Sequence, residues 1–271
     1  MGYFRPHRLE DALAALTVGP RVVLAGGTDH FPARVGHRPD EDILDVSGLP
    51  GLRAIERRVD GWWIPCGATW SDLIEAALPS AFDALVGAAR QVGGAQVQNA
   101  GTLVGNLCNA SPAADGIPCL MALDGEVELA SLAGRRTVPV GAFVLGPRRT
   151  ALRPDEMALG VRVPFAEGVA SSFLKLGSRK YLIISIAMVA VAARIEAGRI
   201  VNARVAIGAC GPRAERLPEL EISLVGQGVT HPDIDPAHFA RLTPIDDIRA
   251  PAAYRRMAAV ELTRRAVMAL A

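Results

Sequence analysis

The stretch NAGTLVGNLCNASPAAD, from Asn99 to Asp115, decides how the rest of the chain is read. Gly101 and Gly105 allow close backbone approach or a positive φ, while Thr102, Asn106 and Asn109 offer side-chain hydrogen bonds. Ser111 and Pro112 have the order of an N-cap followed by a first helical residue, a position that tolerates proline because its N–H has no helical partner. Asp115 falls four residues after the serine, one too far for a capping box. Read for chemistry, the stretch is a seat for phosphate. Read plainly, it is a polar, turn-rich loop, and the segment alone leaves both open.

A second glycine segment lies upstream. RVVLA, Arg21 to Ala25, reads as a short buried strand that runs into Gly26-Gly27-Thr28-Asp29, and HFPARVG then begins a helical turn. A strand ending in glycines before a helix is a recurrent anion-binding arrangement, because free N–H groups and the helix dipole point at the ligand. The GxGxxG spacing of a dinucleotide-binding turn and the GK[ST] ending of a P-loop are both missing, so a plain tight turn is the alternative. Leu9, Leu13 and Leu16 recur at helical spacing ahead of it, stopped by Gly19-Pro20. Asp42 to Val46 follows as a strand, which makes the first fifty or so residues a small β-α-β unit.

Between the two glycine segments, Leu52–Arg58 and Trp62–Cys66 flank Asp60-Gly61, a hairpin signal. Ser71–Leu78 and Phe82–Gln91 read as helices, the second ending at Gly93-Gly94. Trp62, Trp63 and Trp70 read as packing residues. Beyond Asp115, Ile117–Leu123 is a buried helix, Glu126–Ser131 and Arg136–Val140 pair about Gly134, and Met157–Val163 is a strand ending at Pro164. Phe165–Gly168 reads as a linker. Ser171–Gly177, Ile183–Glu196 and Arg199–Ala209 are then three strands, and Pro251 opens a terminal helix.

Composition limits the function. The chain has 271 residues, 50% hydrophobic and 21% charged, enough for one large or two modest cores, and a formal net charge of +1 leaves no footprint for nucleic acid. The arginine pairs at Arg135, Arg148, Arg255 and Arg264 read as solvated or subunit-facing surface rather than phosphate clamps. Cys66, Cys108, Cys119 and Cys210 lie too far apart for zinc or iron–sulfur spacing, and no HExxH pair is present, so no metal site is expected. The opening MGYFRPHRLEDALAAL has no signal-peptide core, and the longest apolar run, Leu182–Ala193, is too short to span a bilayer, so a cytoplasmic location is expected.

Two motifs together, LAGGTD at Leu24–Asp29 and GTLVGNLCNASPAAD at Gly101–Asp115, resemble the flavin-carrying medium subunit of molybdenum-containing hydroxylases, the group of xanthine dehydrogenase and aerobic carbon monoxide dehydrogenase. FLKLGSR at Phe173–Arg179, ARVAIGACGP at Ala203–Pro212 and AYRRMAAVELTRRAV at Ala253–Val267 are similar to that family's C-terminal domain. The resemblance implies an α+β fold. A two-lobed FAD-binding domain of the PCMH type would cover residues 1–165, with lobes 1–54 and 55–165. A smaller C-terminal α+β domain, with an antiparallel sheet and helices, would cover 166–271.

It further implies that two glycine-rich loops grip the FAD pyrophosphate from opposite sides, which gives Ala25, Gly26, Gly27, Thr28, Asp29 and His30, with Thr102, Gly105 and Asn106, their roles. Asp115 matches an acid that contacts the flavin, and Lys175 a lysine that approaches its ring system, where a cation would favour the negative charge of reduced flavin. The alternative for Lys175 is ordinary surface, and for Asp115 a helix-terminus acid. Val104 stands where members commonly have a second glycine, and Gln98 where many have a basic residue. A β-branched residue at 104 is expected in the β region, its side chain turned into protein, leaving Gly105 to approach the phosphates.

The implied function is an FAD-carrying electron-transfer subunit, with no catalytic side chain required of it. Its expected partners are a small iron–sulfur subunit and a large molybdenum-cofactor subunit, in a dimer of heterotrimers, with NAD, a quinone or oxygen as acceptor. The alternatives are a stand-alone flavin reductase of the wider fold and a structural subunit that has lost its flavin.

Overall fold

The computed structural model describes residues 2–36, 40–180 and 182–271. The first lobe holds β1 (Tyr3–Phe4), α1 (Leu9–Val18), β2 (Val22–Leu24) and β3 (Ile43–Asp45), with β3 central in a parallel sheet. In α1 the buried Ala12, Leu13 and Leu16 form one face, and Gly19 ends the helix. The turn expected after Asp29 is a single 3-10 turn, Pro32–Arg34.

The second lobe contains β4 (Glu56–Arg57), β5 (Gly61–Pro65), α2 (Trp70–Glu75), α3 (Asp83–Ala89), α4 (Ala95–Ala100), α5 (Leu103–Asn109), α6 (Gly116–Ala122), β6 (Glu126–Ser131), β7 (Gly134–Pro139), α7 (Val140–Phe143), β8 (Val144–Gly146), β9 (Arg149–Thr150) and β10 (Met157–Pro164). Its five-stranded antiparallel sheet has the order β4-β5-β10-β6-β7, so both hairpins expected from the turn residues form. The segment read as a loop from Asn99 is instead helical on both sides of Gly101. Ser111 caps no helix: its hydroxyl accepts from the Ala113 N–H at 3.3 Å within a local turn, and the next helix, α6, starts at Gly116.

The C-terminal part comprises β11 (Val169–Leu176), β12 (Ala187–Glu196), β13 (Arg199–Gly208), β14 (Glu215–Arg216), α8 (Pro218–Leu224) and α9 (Ala252–Met268). Its strands pair antiparallel in sequence order. The strand expected from Ile183 starts only at Ala187, so Ile183 to Ile186 is irregular.

This last sheet serves two cores. Side chains alternate across a strand, and along β12 Met188, Ala190 and Ala192 join the core of the two lobes, while Ala187, Val189, Val191 and Ala193 join a second core beneath α8 and α9. Burial on both faces explains why β12 reads as an unbroken apolar run. Along β11 the same alternation sends Ser171 and Phe173 toward the lobes and Leu174 toward the second core. Lys175 shares the parity of Ser171 and Phe173. The pleat therefore carries a charged side chain into the space between sheet and lobes.

Candidate functional site

That space is a cavity of about 660 Å³. All eleven residues singled out from the sequence line it: Ala25 to His30, Thr102, Gly105, Asn106, Asp115 and Lys175. They come from the turn after β2, the first half of α5, the residue before α6, and β11. The cavity thus touches both lobes and the C-terminal sheet.

The two glycine segments do not face each other across the cavity; they abut. A Cβ on Gly26 would lie 1.8 Å from the Ala100 carbonyl oxygen and 3.0 Å from the Gly101 Cα. Only glycine permits that approach. Trp70 stands behind the joint, 2% exposed, its ring packed so close that a Cβ would lie 3.3 Å from it at Gly101 and 2.9 Å from it at Gly116. Its role is packing, although its edge also reaches the cavity wall.

α5 forms because Thr102 caps it: the Thr102 hydroxyl accepts from the Gly105 N–H at 3.0 Å. Leu103, Val104 and Leu107 then bury one face. Val104 is therefore helical rather than in the β region. Helix geometry directs it into the core, 2% exposed and off the cavity wall, whereas Gly105 lines the cavity. A helix has no need of positive φ here, so the valine is unstrained.

Asp115 and Lys175 form a buried pair. Lys175 Nζ donates to Asp115 Oδ2 at 2.7 Å and to the carbonyls of Gln91 and Ile183, each at 3.3 Å. The lysine side chain is 5% exposed and the aspartate 7%. Neither residue is ordinary surface, and Asp115 makes no cap bond to α6. All three ammonium protons are used within the protein. Ser185 donates to the other carboxylate oxygen at 2.6 Å. Burial pushes the Asp115 carboxyl above its ordinary range, and the charge and hydrogen bond of Lys175 and the bond from Ser185 pull against it. The neighbouring Cys108 thiol, pushed up by burial to about 12, stays neutral on the wall.

Sequence reasoning missed several wall residues. Arg148, read as surface, and the irregular Ile183–Ser185 reach the cavity; Asn109, read as a hydrogen-bonding side chain, and Ser111, read as a helix cap, line it too. Two of the other arginine pairs split, one member turned toward the protein, whereas Arg264 and Arg265 both pair with Glu261 on the surface. Arg136 donates to both carboxylate oxygens of Glu156, and Arg255 is 2% exposed, with bonds to Ile186, Ala209 and Asp247.

His30 Nε2 and Asn106 Oδ1 are buried without a hydrogen-bond partner among the described residues, and both residues line the cavity. Buried polar atoms ordinarily find partners. A donor–acceptor set beside glycines pressed backbone to backbone suits a phosphate- and ribose-bearing molecule. The volume lies within the range of cofactor sites. Fold and site together define a cofactor-binding α+β protein whose cavity is framed by two lobes and a sheet.

Comparison with known proteins gives the family. Residues 1–166 match the FAD binding domain in molybdopterin dehydrogenase, and residues 172–270 the CO dehydrogenase flavoprotein C-terminal domain. The chain is 32% identical over 226 residues to a xanthine dehydrogenase FAD-binding subunit of Escherichia coli O157:H7, covering 81% of this chain and 77% of that protein. It is 30% identical over 277 residues to the carbon monoxide dehydrogenase medium chain of Hydrogenophaga pseudoflava, covering 98% and 96%. A solved structure of carbon monoxide dehydrogenase from Hydrogenophaga pseudoflava, lacking the Mo-pyranopterin moiety, superimposes with a TM-score of 0.89 at 29% identity, covering 100% of this chain and 96% of that one. The chain belongs to the FAD-binding domain family of molybdopterin dehydrogenases. Its cofactor is FAD, and it is the FAD-dependent oxidoreductase subunit of a molybdenum-containing dehydrogenase.

Proposed function

We propose that FAD rests in the cavity, where Ala25, Gly26, Gly27, Thr28, Asp29, His30, Thr102, Gly105 and Asn106 would hold it and the Asp115–Lys175 pair would serve its flavin part. The observation that carries this reading is the convergence of all these residues on one cavity, with His30 Nε2 and Asn106 Oδ1 left for a ligand. The backbone of the abutting turns binds the phosphates. Lys175, spent on Asp115 and two carbonyls, shapes the floor and fixes the Ile183 segment. At Asp115 burial raises the carboxyl, while the Lys175 charge and the hydrogen bonds from Lys175 and Ser185 oppose that rise. FAD supplies the redox chemistry when bound.

As an assembly, the chain is the medium subunit of a multi-subunit molybdenum hydroxylase. It takes electrons from iron–sulfur clusters on a small subunit, which serves a large molybdenum-cofactor subunit, and hands them to NAD, a quinone or oxygen. Among the described residues no three His, Cys, Asp or Glu side chains gather as metal ligands. None of the described helices is long and apolar enough to cross a membrane. We place the domain boundary at 165/166, close to where the first family match ends, at 166, and ahead of where the second begins, at 172. Lobes 1–54 and 55–165 make up the FAD-binding domain, and 166–271 is the C-terminal domain. The experiment is purification of the native complex with subunit identification and metal analysis. Two partner subunits, molybdenum and iron in a dimer of heterotrimers are expected; isolation of a lone, substrate-oxidising chain would overturn the assignment.

A further inference from the structure

Arg148 stands apart from the glycine motifs yet shares their cavity. It occupies the third position of the Gly146–Arg149 turn between β8 and β9, after Pro147, with φ +57. Proline in the second position and a positive φ in the third describe a turn that prefers glycine there. An arginine in that conformation is retained against local strain.

The surroundings fix it further. The Arg148 N–H donates to the Ala110 carbonyl at 3.0 Å, and Ala110, the C-cap of α5, is itself at φ +47. The Arg148 guanidinium donates to Asn109 Oδ1, on the last residue of α5. Two left-handed residues thus clasp the β8–β9 hairpin to the end of α5. The clasp aims a charged head along the wall that carries Asn106 and Asn109.

Charge bookkeeping isolates this side chain. Of the cations on the wall, Lys175 is neutralised by Asp115 and Arg34 by Glu41. Arg148 meets a neutral amide and has no carboxylate partner among the described residues. Asp29, exposed on the same wall, adds negative charge with no ion pair among the described residues. A pyrophosphate entering the cavity meets that acid, and a planar guanidinium is well matched to phosphate oxygens.

We propose that Arg148 is a phosphate-reading residue of this cavity, its guanidinium taking the pyrophosphate of a dinucleotide. The inference rests on the reading that FAD occupies the cavity. The same chemistry has two sources, the resident FAD or an incoming nucleotide acceptor, and the test separates them.

The full chain, stripped of flavin, is titrated with FAD and with riboflavin, which lacks phosphate, following flavin fluorescence. FAD-loaded chain is then titrated with NAD⁺. Arg148→Gln removes the charge, and Arg148→Gly removes the side chain while suiting the turn, so its melting temperature equals or exceeds wild type. Both variants should weaken FAD about tenfold, with riboflavin affinity unchanged and a shallower salt dependence. Unchanged FAD affinity with at least tenfold weaker NAD⁺ binding assigns the acceptor's phosphates instead. Wild-type affinity for both dinucleotides, or an equal loss for riboflavin and FAD, overturns the proposal. Failure of the wild-type chain to bind FAD overturns the cavity reading, and Arg148 with it.

Discussion

Gly26→Ala adds one methyl group where the two glycine segments meet. The new Cβ would sit 1.8 Å from the Ala100 carbonyl oxygen, against a closest tolerable approach of 3.0 Å, so the segments must part by at least 1.2 Å, the difference of the two. The clash is with backbone, which cannot rotate aside as a side chain would. Overpacking of this kind costs about 1–3 kcal/mol. Each kcal/mol lowers the melting temperature of a domain of this size class by about 2–4 °C. Parting the segments also shifts the phosphate donors relative to Asn106. FAD should therefore bind at least about tenfold more weakly, equivalent to about 1.4 kcal/mol. Calorimetric titration of the flavin-free chain with FAD, alongside thermal melts, reads both effects. Gly19→Ala is the control, since its Cβ meets nothing within 4 Å and its φ of 172° is extended backbone. A Gly26→Ala chain that melts and binds FAD like wild type would refute the abutting-segment geometry.

Lys175→Met leaves the Asp115 carboxylate buried without its cation. It should cost about 3–5 kcal/mol in urea denaturation, and adding Asp115→Asn should recover much of that; additive losses would show the pair is not coupled. Val104→Ala should cost about 1–3 kcal/mol through lost burial while FAD affinity stays within a few-fold, because the side chain points away from the cavity; a tenfold change in affinity would contradict this. Thr102→Val removes the cap of α5 and should cost about 0.5–2 kcal/mol, read by thermal melt. Glu156 is held below its ordinary range by hydrogen bonds from Arg136 at 2.6 and 2.7 Å. A depressed folded-state value means its contribution is present above the unfolded value, about 4.3, and is lost as pH falls through the lower folded value. Glu156→Gln should be less stable near neutrality and lose less on acidification; an identical acid profile would remove Glu156 from that role.

Much of the fold was legible because it rests on local patterns. The leucine spacing of α1, the Asp60-Gly61 turn and the unbroken apolar run of β12 each encode one element directly. α5 was not legible. Its interior Gly105 and Asn106 are poor helix formers, and what offsets them is the burial of Leu103, Val104 and Leu107 against residues distant in sequence. The same stretch offered Ser111-Pro112 as a helix start, but the chain makes a turn there and the helix begins only at Gly116.

The site was legible as a set of residues but not as a set of partnerships. The glycine motifs and Lys175 could be picked out, yet only the fold brings Asp115 and Lys175 within 2.7 Å and spends the lysine inside the protein. Arg148 carried no signal, since an arginine pair is ordinarily solvated. Its meaning depends on a turn conformation and on where the β8–β9 hairpin lands.

The most direct measurement of the central claim is the flavin content of the purified full chain. The account predicts flavin absorption bands on the folded protein, about one FAD per chain released on denaturation, and uptake of FAD by stripped protein, as expected of a single non-covalent site. A colourless, folded chain that takes up no added FAD would contradict it.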